Sequence, residues 1–142
     1  MPKRTASAVW NGGLKGGNGT MKSERAGIDG PYSFPSRFEE GDGMSPEDLI
    51  AAAHAGCFSM AFAATLEKNG FNPTSVETTA EVTLEPVDGA PTISKIHLTS
   101  NARVPGIDEA KFHELAADAK QNCPVSRLYK GAEISVAATL AQ

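Results

Sequence analysis

The sequence predicts an α+β protein with antiparallel strands and a long, buried central helix that carries one cysteine. Three features predict it: a glycine-rich first third, an apolar run over residues 49–66, and an alternating strand pair after that run. The order of elements is strands, long helix, hairpin, helices and strand. Because strands and helices do not alternate, this order excludes a doubly wound parallel sheet.

Length and composition indicate one globular domain over residues 1–142, with a loop-rich part at 1–43 and a helix-and-strand part at 44–142. The 13 basic and 17 acidic residues give a net charge of −4, which argues against nucleic acid or an anionic membrane as partner. Two cysteines are too few for a disulfide scaffold. The N-terminus is basic but lacks the apolar segment of a signal peptide, so we expect a cytoplasmic protein.

The first third of the chain predicts short strands and loops. Residues 7–10 and 19–25 are typical of two strands that flank a flexible tip at residues 11–18. We therefore expect a hairpin at the N-terminus.

The central helix has clear start and stop signals. Ser45 is the predicted N-cap, Pro46 fits the first helical position, and Asp48 has the spacing of a capping box. The helix should end at Lys68, with Gly70 at its C-terminal cap. Because it is apolar on every side but rich in alanine and glycine, we expect it to be buried in a core, against more than one neighbour and against a second subunit, rather than in a membrane.

The remaining elements follow from simple alternation. Residues 76–84 and 96–104 alternate apolar and polar side chains and are joined by a turn at residues 88–89. Asp108 opens a predicted helix over 109–120, a short helix begins near Cys123, and residues 134–140 form a final strand.

The two cysteines are the candidate reactive groups. Cys57 lies within the apolar helix, where a cysteine is by default an inert small hydrophobe, whereas Cys123 at a helix N-terminus is favoured as a thiolate. Their spacing permits a pair but does not show one. The ligand types for zinc are present, but no CxxC or HxxxH spacing supports a site. His54, three residues before Cys57, leaves open a cysteine–histidine nucleophile or a histidine bonded within the core.

Four motifs in a fixed order carry a family resemblance: 31–39 (PYSFPSRFE), 45–49 (SPEDL), 52–60 (AAHAGCFSM) and 123–126 (CPVS). Together they resemble the osmotically inducible protein C (OsmC) branch of the OsmC/Ohr family of organic hydroperoxide reductases. The likeness extends over essentially the whole chain.

The resemblance implies a role for four residues. Cys57 would be the peroxidatic cysteine, Cys123 the resolving cysteine, Arg37 the group that activates the thiolate, and Glu47 the carboxylate that positions Arg37. It also implies an intertwined homodimer with two active sites at the interface, no cofactor, and an external dithiol reductant such as a lipoylated protein. The residues alone favour Cys123 as the more activated thiol, so the assignment of attack to Cys57 rests on the resemblance.

The sequence thus leads to one hypothesis and two alternatives. The hypothesis is a cytoplasmic, dimeric thiol peroxidase for stress defence that reduces organic hydroperoxides through a Cys57–Cys123 disulfide. One alternative is a cysteine hydrolase or acyl transferase that uses Cys57 and His54. The other is a non-catalytic, stress-induced binding protein with inert thiols.

Overall fold

The computed structural model describes residues 1–141, which form two compact units. Unit 1 extends from Met1 to Asp48, and unit 2 begins at Leu49. The change of composition predicted between residues 43 and 44 lies shortly before this division. That the chain is one functional domain stays a prediction.

Unit 1 contains a small antiparallel sheet and a one-turn helix. The strands are β1 (Ser7–Asn11), β2 (Asn18–Ser23) and β3 (Ile28–Tyr32), in that spatial order, and the helix is α1 (Phe34–Phe38). The predicted hairpin is confirmed. The sequence did not predict β3 or α1, because Gly30 and Pro31 weaken the strand signal and five residues are too few for a helical period. A reciprocal pair of hydrogen bonds between Ser33 and Ser36 caps α1.

The long helix α2 (Pro46–Lys68) has the predicted ends. The Ser45 hydroxyl accepts from the Asp48 backbone N–H at 3.1 Å, and the Asp48 carboxylate accepts from the Ser45 N–H at 2.8 Å. This is the expected capping box. At the other end Gly70 takes a φ of +87°, which terminates the helix.

Helix α2 has one buried and one exposed face, although both are apolar. Phe58, Phe62 and Leu66 are fully buried in the core of unit 2, whereas Met60 on the opposite side is 78% exposed. By length and composition α2 is the one helix among residues 1–141 that is able to span a membrane. Its buried phenylalanines support the interpretation as a core helix.

Unit 2 is built on a second three-stranded sheet. Its strands are β4 (Ser75–Val87), β5 (Ala90–Arg103) and β6 (Glu133–Ala141), in that spatial order. Asp88 and Gly89 both have positive φ, as a two-residue hairpin requires, and β4 and β5 are antiparallel as predicted.

The last strand departs from the expected antiparallel arrangement, because β6 runs parallel to β5. Parallel neighbours need a long crossover connection, and two helices supply it: α3 (Glu109–Asn122) and α4 (Pro124–Leu128). Asp108 caps α3 by accepting from the Lys111 N–H at 2.8 Å, as predicted.

The connection between β5 and β6 bends at Cys123, between its two helices. Pro124 disfavours helical backbone at the residue before it, and Cys123 has a ψ of 122°. The chain therefore leaves α3 and starts α4 at this residue. Local sequence thus places the second thiol at a sharp bend, where it is fully buried.

Candidate active site

The two cysteines, 66 residues apart in the sequence, meet inside unit 2. The Cys123 thiol donates to the Cys57 sulfur with an Sγ–Sγ distance of 3.1 Å, and both thiols are free. Cys57 is half-buried on α2, and Cys123 is fully buried at the junction of α3 and α4. Over residues 1–141, no group of three or more histidine, cysteine or acidic side chains is arranged to hold a metal ion.

The surroundings of Cys57 within its unit favour the neutral thiol. Burial raises the pKa of Cys57, and the adjacent Cys123 thiol raises it further. The backbone N–H of Val125, in the first turn of α4, donates to the sulfur and lowers this pKa, but by less. A reactive thiolate at Cys57 therefore needs a positive charge beyond these contacts.

Unit 1 contains an arginine held in place by a carboxylate. Nε and Nη2 of Arg37, on α1, lie 3.1 and 3.0 Å from Oε1 of Glu47, in the first turn of α2. Both nitrogens contact the same oxygen, and the buried Oε2 has no hydrogen-bond partner among residues 1–141. The Arg37 side chain is 38% exposed, whereas that of Glu47 is 11% exposed. The largely buried acid thus fixes a guanidinium that still reaches solvent.

A mainly apolar pocket of about 200 Å³ lies beside Arg37 in unit 1. Its lining residues come from the hairpin and from α1: Trp10, Leu14, Tyr32, Ser33, Phe34, Arg37 and Phe38. The Arg37 guanidinium lies 5.2 Å from the centre of the Phe38 ring. One wall of the pocket is therefore charged, and most of the rest is hydrocarbon.

His54 is fully buried and is hydrogen-bonded away from Cys57. Its Nε2 lies 2.8 Å from the Ser126 hydroxyl, and the Tyr129 ring packs edge-on against it. Burial lowers the pKa of His54, so the ring is neutral at physiological pH. Of the two interpretations of His54 that the sequence allows, these contacts favour the histidine bonded within the core over the cysteine–histidine nucleophile.

The other two histidines are exposed. His97 contacts the Ser135 hydroxyl, and His113 pairs with Glu109 one turn away on α3. Neither is near the thiols in the contacts that residues 1–141 make. Sequence reasoning assigned no function to Val125 or Ser126, although the 123–126 motif contains both.

These features define a class of protein. It has an α+β fold in which a free thiol on a long helix contacts a second free thiol at the bend between two other helices. The chain belongs to the OsmC family. The family model described as OsmC-like protein matches residues 39–138, which include α2, both cysteines and most of the second sheet.

Two named relatives match over nearly the full length of the chain. The chain is 46% identical to "Peroxiredoxin OsmC" of Escherichia coli K12 over 134 residues, which cover 94% of this chain and 93% of the relative. It is 33% identical to "Organic hydroperoxide resistance protein" of Xanthomonas axonopodis pv. citri over 140 residues, 96% of this chain and 94% of the relative.

Solved structures share the fold. An OsmC-like protein from Mycoplasma pneumoniae superposes with a TM-score of 0.74 at 16% identity, covering 99% of each chain. An organic hydroperoxide resistance protein OsmC from Legionella pneumophila gives a TM-score of 0.74 at 22% identity, covering 99% of this chain and 100% of that one.

Proposed function

We propose that the protein is a peroxidase that reduces organic hydroperoxides to alcohols through Cys57 and Cys123. The observation that carries the proposal is the 3.1 Å contact between the two sulfurs. The names of the two relatives, a peroxiredoxin and an organic hydroperoxide resistance protein, support the same chemistry. We place the reaction in the cytoplasm, where thiols are kept reduced.

The proposed cycle has three steps: attack on the peroxide, formation of the disulfide and its reduction. The Cys57 thiolate attacks one oxygen of the hydroperoxide, the O–O bond breaks, and the alkoxide takes a proton to leave as the alcohol. Cys57 is then a sulfenic acid. The Cys123 thiol attacks it, an S–S bond forms, and water leaves. An external dithiol, with a lipoylated protein as the candidate, reduces this disulfide and is itself oxidised.

Arg37 is the candidate source of the positive charge that Cys57 needs. A guanidinium near a thiol favours the thiolate, and its N–H groups also stabilise an oxygen that becomes negative as the O–O bond breaks. Glu47 binds Nε and Nη2, and in this proposal Nη1 donates to the substrate oxygen. In this proposal Arg37 acts on Cys57 of its own subunit or of a second one.

The pocket beside Arg37 supports an organic substrate. Its phenylalanine and tryptophan walls fit an alkyl or aryl group, whereas hydrogen peroxide has no apolar part to bury there. We therefore expect organic hydroperoxides to react faster than hydrogen peroxide.

The open face of α2 supports a homodimer. Ala52, Ala53, Gly56, Met60 and Ala64 are exposed on this helix, although all of them are apolar. A Cβ added at Gly56 meets nothing within 4 Å among residues 1–141, so no contact in that part of the chain accounts for a glycine at this position. A second copy that covers this face would bury the apolar stripe.

The first experiment counts thiols on reduced protein after one equivalent of cumene hydroperoxide, with intact mass and a parallel hydrogen peroxide sample. We expect the loss of two thiols and of two hydrogens in mass, faster with the organic peroxide. Hydrolysis of a p-nitrophenyl ester that is lost in Cys57→Ser but undiminished in Cys123→Ser would instead support the hydrolase that uses Cys57 and His54. Survival of both thiols would contradict the peroxidase proposal and favour a binding protein.

A further inference from the structure

The segment 123–126 contacts α2 at three consecutive points. The Cys123 thiol and the Val125 N–H both reach the Cys57 sulfur, and the Ser126 hydroxyl reaches His54 one turn earlier on the helix. Two of these contacts belong to the chemistry of the thiols. The third, between Ser126 and His54, has no part in the cycle above.

The Ser126–His54 hydrogen bond is the only one that His54 makes among the described residues. The ring is fully buried and neutral, and its Nδ1 has no partner. An unpaired polar nitrogen in a core is unfavourable, and an apolar side chain of similar size would fill the same space without it. The hydrogen bond to Ser126, and not packing, is therefore what distinguishes His54 from an apolar residue at this position.

The contact lies just after the bend at Cys123, in a helix that is too short to be stable by itself. Pro124 supplies no N–H, and α4 has only five residues, with no side-chain hydrogen bond at its N-cap. A rotation of the backbone at Cys123 and Pro124 would move Val125 and Ser126 together. The hydrogen bond from Ser126 to helix α2 opposes that rotation, in addition to the backbone hydrogen bonds of α4 and the packing of Val125.

We propose that His54 is a positioning residue: through Ser126 it holds the segment 123–126 on α2, so that the Cys123 sulfur and the Val125 N–H stay on Cys57. The role in turnover rests on the proposed peroxidase cycle, but the positioning itself does not. Holding the segment raises the effective concentration of one thiol at the other. It also keeps the one donor that lowers the pKa of Cys57 in contact with the sulfur.

The test uses Ser126→Ala, which removes one oxygen from a half-buried side chain, and two measurements that need no peroxide. The first is the equilibrium of the Cys57–Cys123 disulfide against reduced and oxidised dithiothreitol. Without the hydrogen bond the segment is less ordered in the reduced protein and must be ordered again to form the disulfide, so the equilibrium constant should fall about five- to tenfold. The second is the thiolate absorbance at 240 nm, which should report a higher pKa for Cys57.

Matched variants separate positioning from general destabilisation. Ser135→Ala removes another serine–histidine contact, that with His97, at an exposed site in the same unit, and should change neither measurement. Ser126→Thr keeps the hydroxyl and should restore both. His54→Leu should reproduce Ser126→Ala, and the double variant should be no worse than either single variant, because both remove the same bond.

The outcomes are distinct from those of the peroxidase experiment. If Ser126→Ala has the wild-type disulfide equilibrium and the wild-type Cys57 pKa, the positioning role is wrong, whatever the protein does with peroxides. Additive effects of Ser126→Ala and His54→Leu would also overturn it. A lower disulfide equilibrium constant together with a higher Cys57 pKa, both reversed by Ser126→Thr, establishes it even if the wild-type protein leaves cumene hydroperoxide intact.

Discussion

The two groups of candidate residues, one in each unit, differ in what surrounds them. In unit 1 the Arg37–Glu47 pair lies where the guanidinium is still solvated, whereas in unit 2 the Cys123 thiol is completely buried. Burying a charge away from water is unfavourable, whereas a neutral thiol packs well among apolar side chains. The chain thus provides the charge and the sulfur from separate units, and in the proposed cycle they act together.

The largest expected effect comes from substituting the two cysteines, which should differ in their effect on peroxide reduction. Cys57→Ser should abolish peroxide reduction, by a factor of about 1,000 or more, because the nucleophile is lost. Cys123→Ser should still consume one equivalent of cumene hydroperoxide and stop as a sulfenic acid, which dimedone labels and intact mass detects. If Cys123→Ser sustains full turnover with a dithiol, the proposed disulfide step is wrong.

The next largest effect should come from removing the positive charge of Arg37. Arg37→Ala should lower the second-order rate constant with cumene hydroperoxide about 100-fold, because the thiolate loses its positive partner. The rate profile should also shift to higher pH. This shift follows from the sign of the burial effect, which already raises the pKa of Cys57 and would then act unopposed by the arginine. Stopped-flow rates between pH 5 and 9 measure both changes.

Arg37→Lys provides the matched control for that experiment. It keeps the charge but loses the planar fork, so partial activity is expected. Equal rates for Arg37→Ala and the wild type would remove Arg37 from the mechanism.

A smaller effect should follow from loosening the arginine without removing it. Glu47→Gln keeps the shape of the side chain but not its charge, so Arg37 is held less firmly, and the rate should fall about tenfold. The dithiothreitol equilibrium of the two cysteines should stay unchanged, because Glu47 precedes Cys57 by ten residues, almost three turns of α2. Glu39→Gln, at an exposed acid next to α1, is the control. A rate loss in both variants would point to net charge rather than to positioning.

The smallest effect concerns stability rather than activity. His54 has a lowered pKa when folded, so below about pH 6.5 the unfolded chain binds a proton that the folded chain does not. The free energy of unfolding should therefore fall as the pH drops from 7.5 to 5.5. Urea titrations at fixed protein concentration measure this fall, which should shrink in His54→Leu and persist in His113→Gln. An unchanged pH dependence in His54→Leu would show that another group causes it.

Local signals predicted most of the fold. The capping box at Ser45, the positive-φ turn at Asp88 and Gly89 and the helix cap at Asp108 each depend on a few neighbouring residues, and all three are confirmed. The missed elements lack such signals. The parallel pairing of β6 depends on how a crossover of two helices packs, which no local pattern encodes.

The site was less accessible to sequence reasoning than the fold. Spacing alone did not pair Cys57 with Cys123, and the resemblance to a family supplied that pair and the arginine. The structure brings the members of each pair together, whereas their catalytic roles stay predictions. The contact between His54 and Ser126 joins residues 72 positions apart, and neither position carries a pattern that indicates it.

The short sulfur–sulfur distance has a consequence for how the oxidised protein is recognised. A disulfide bond is about 2.05 Å long, so closing a 3.1 Å gap requires each sulfur to move by about half an ångström. The oxidised and reduced forms should then have nearly the same outline. A reducing partner would find little difference in shape between them, and would have to sample both forms and discriminate by reaction at the half-buried Cys57 sulfur.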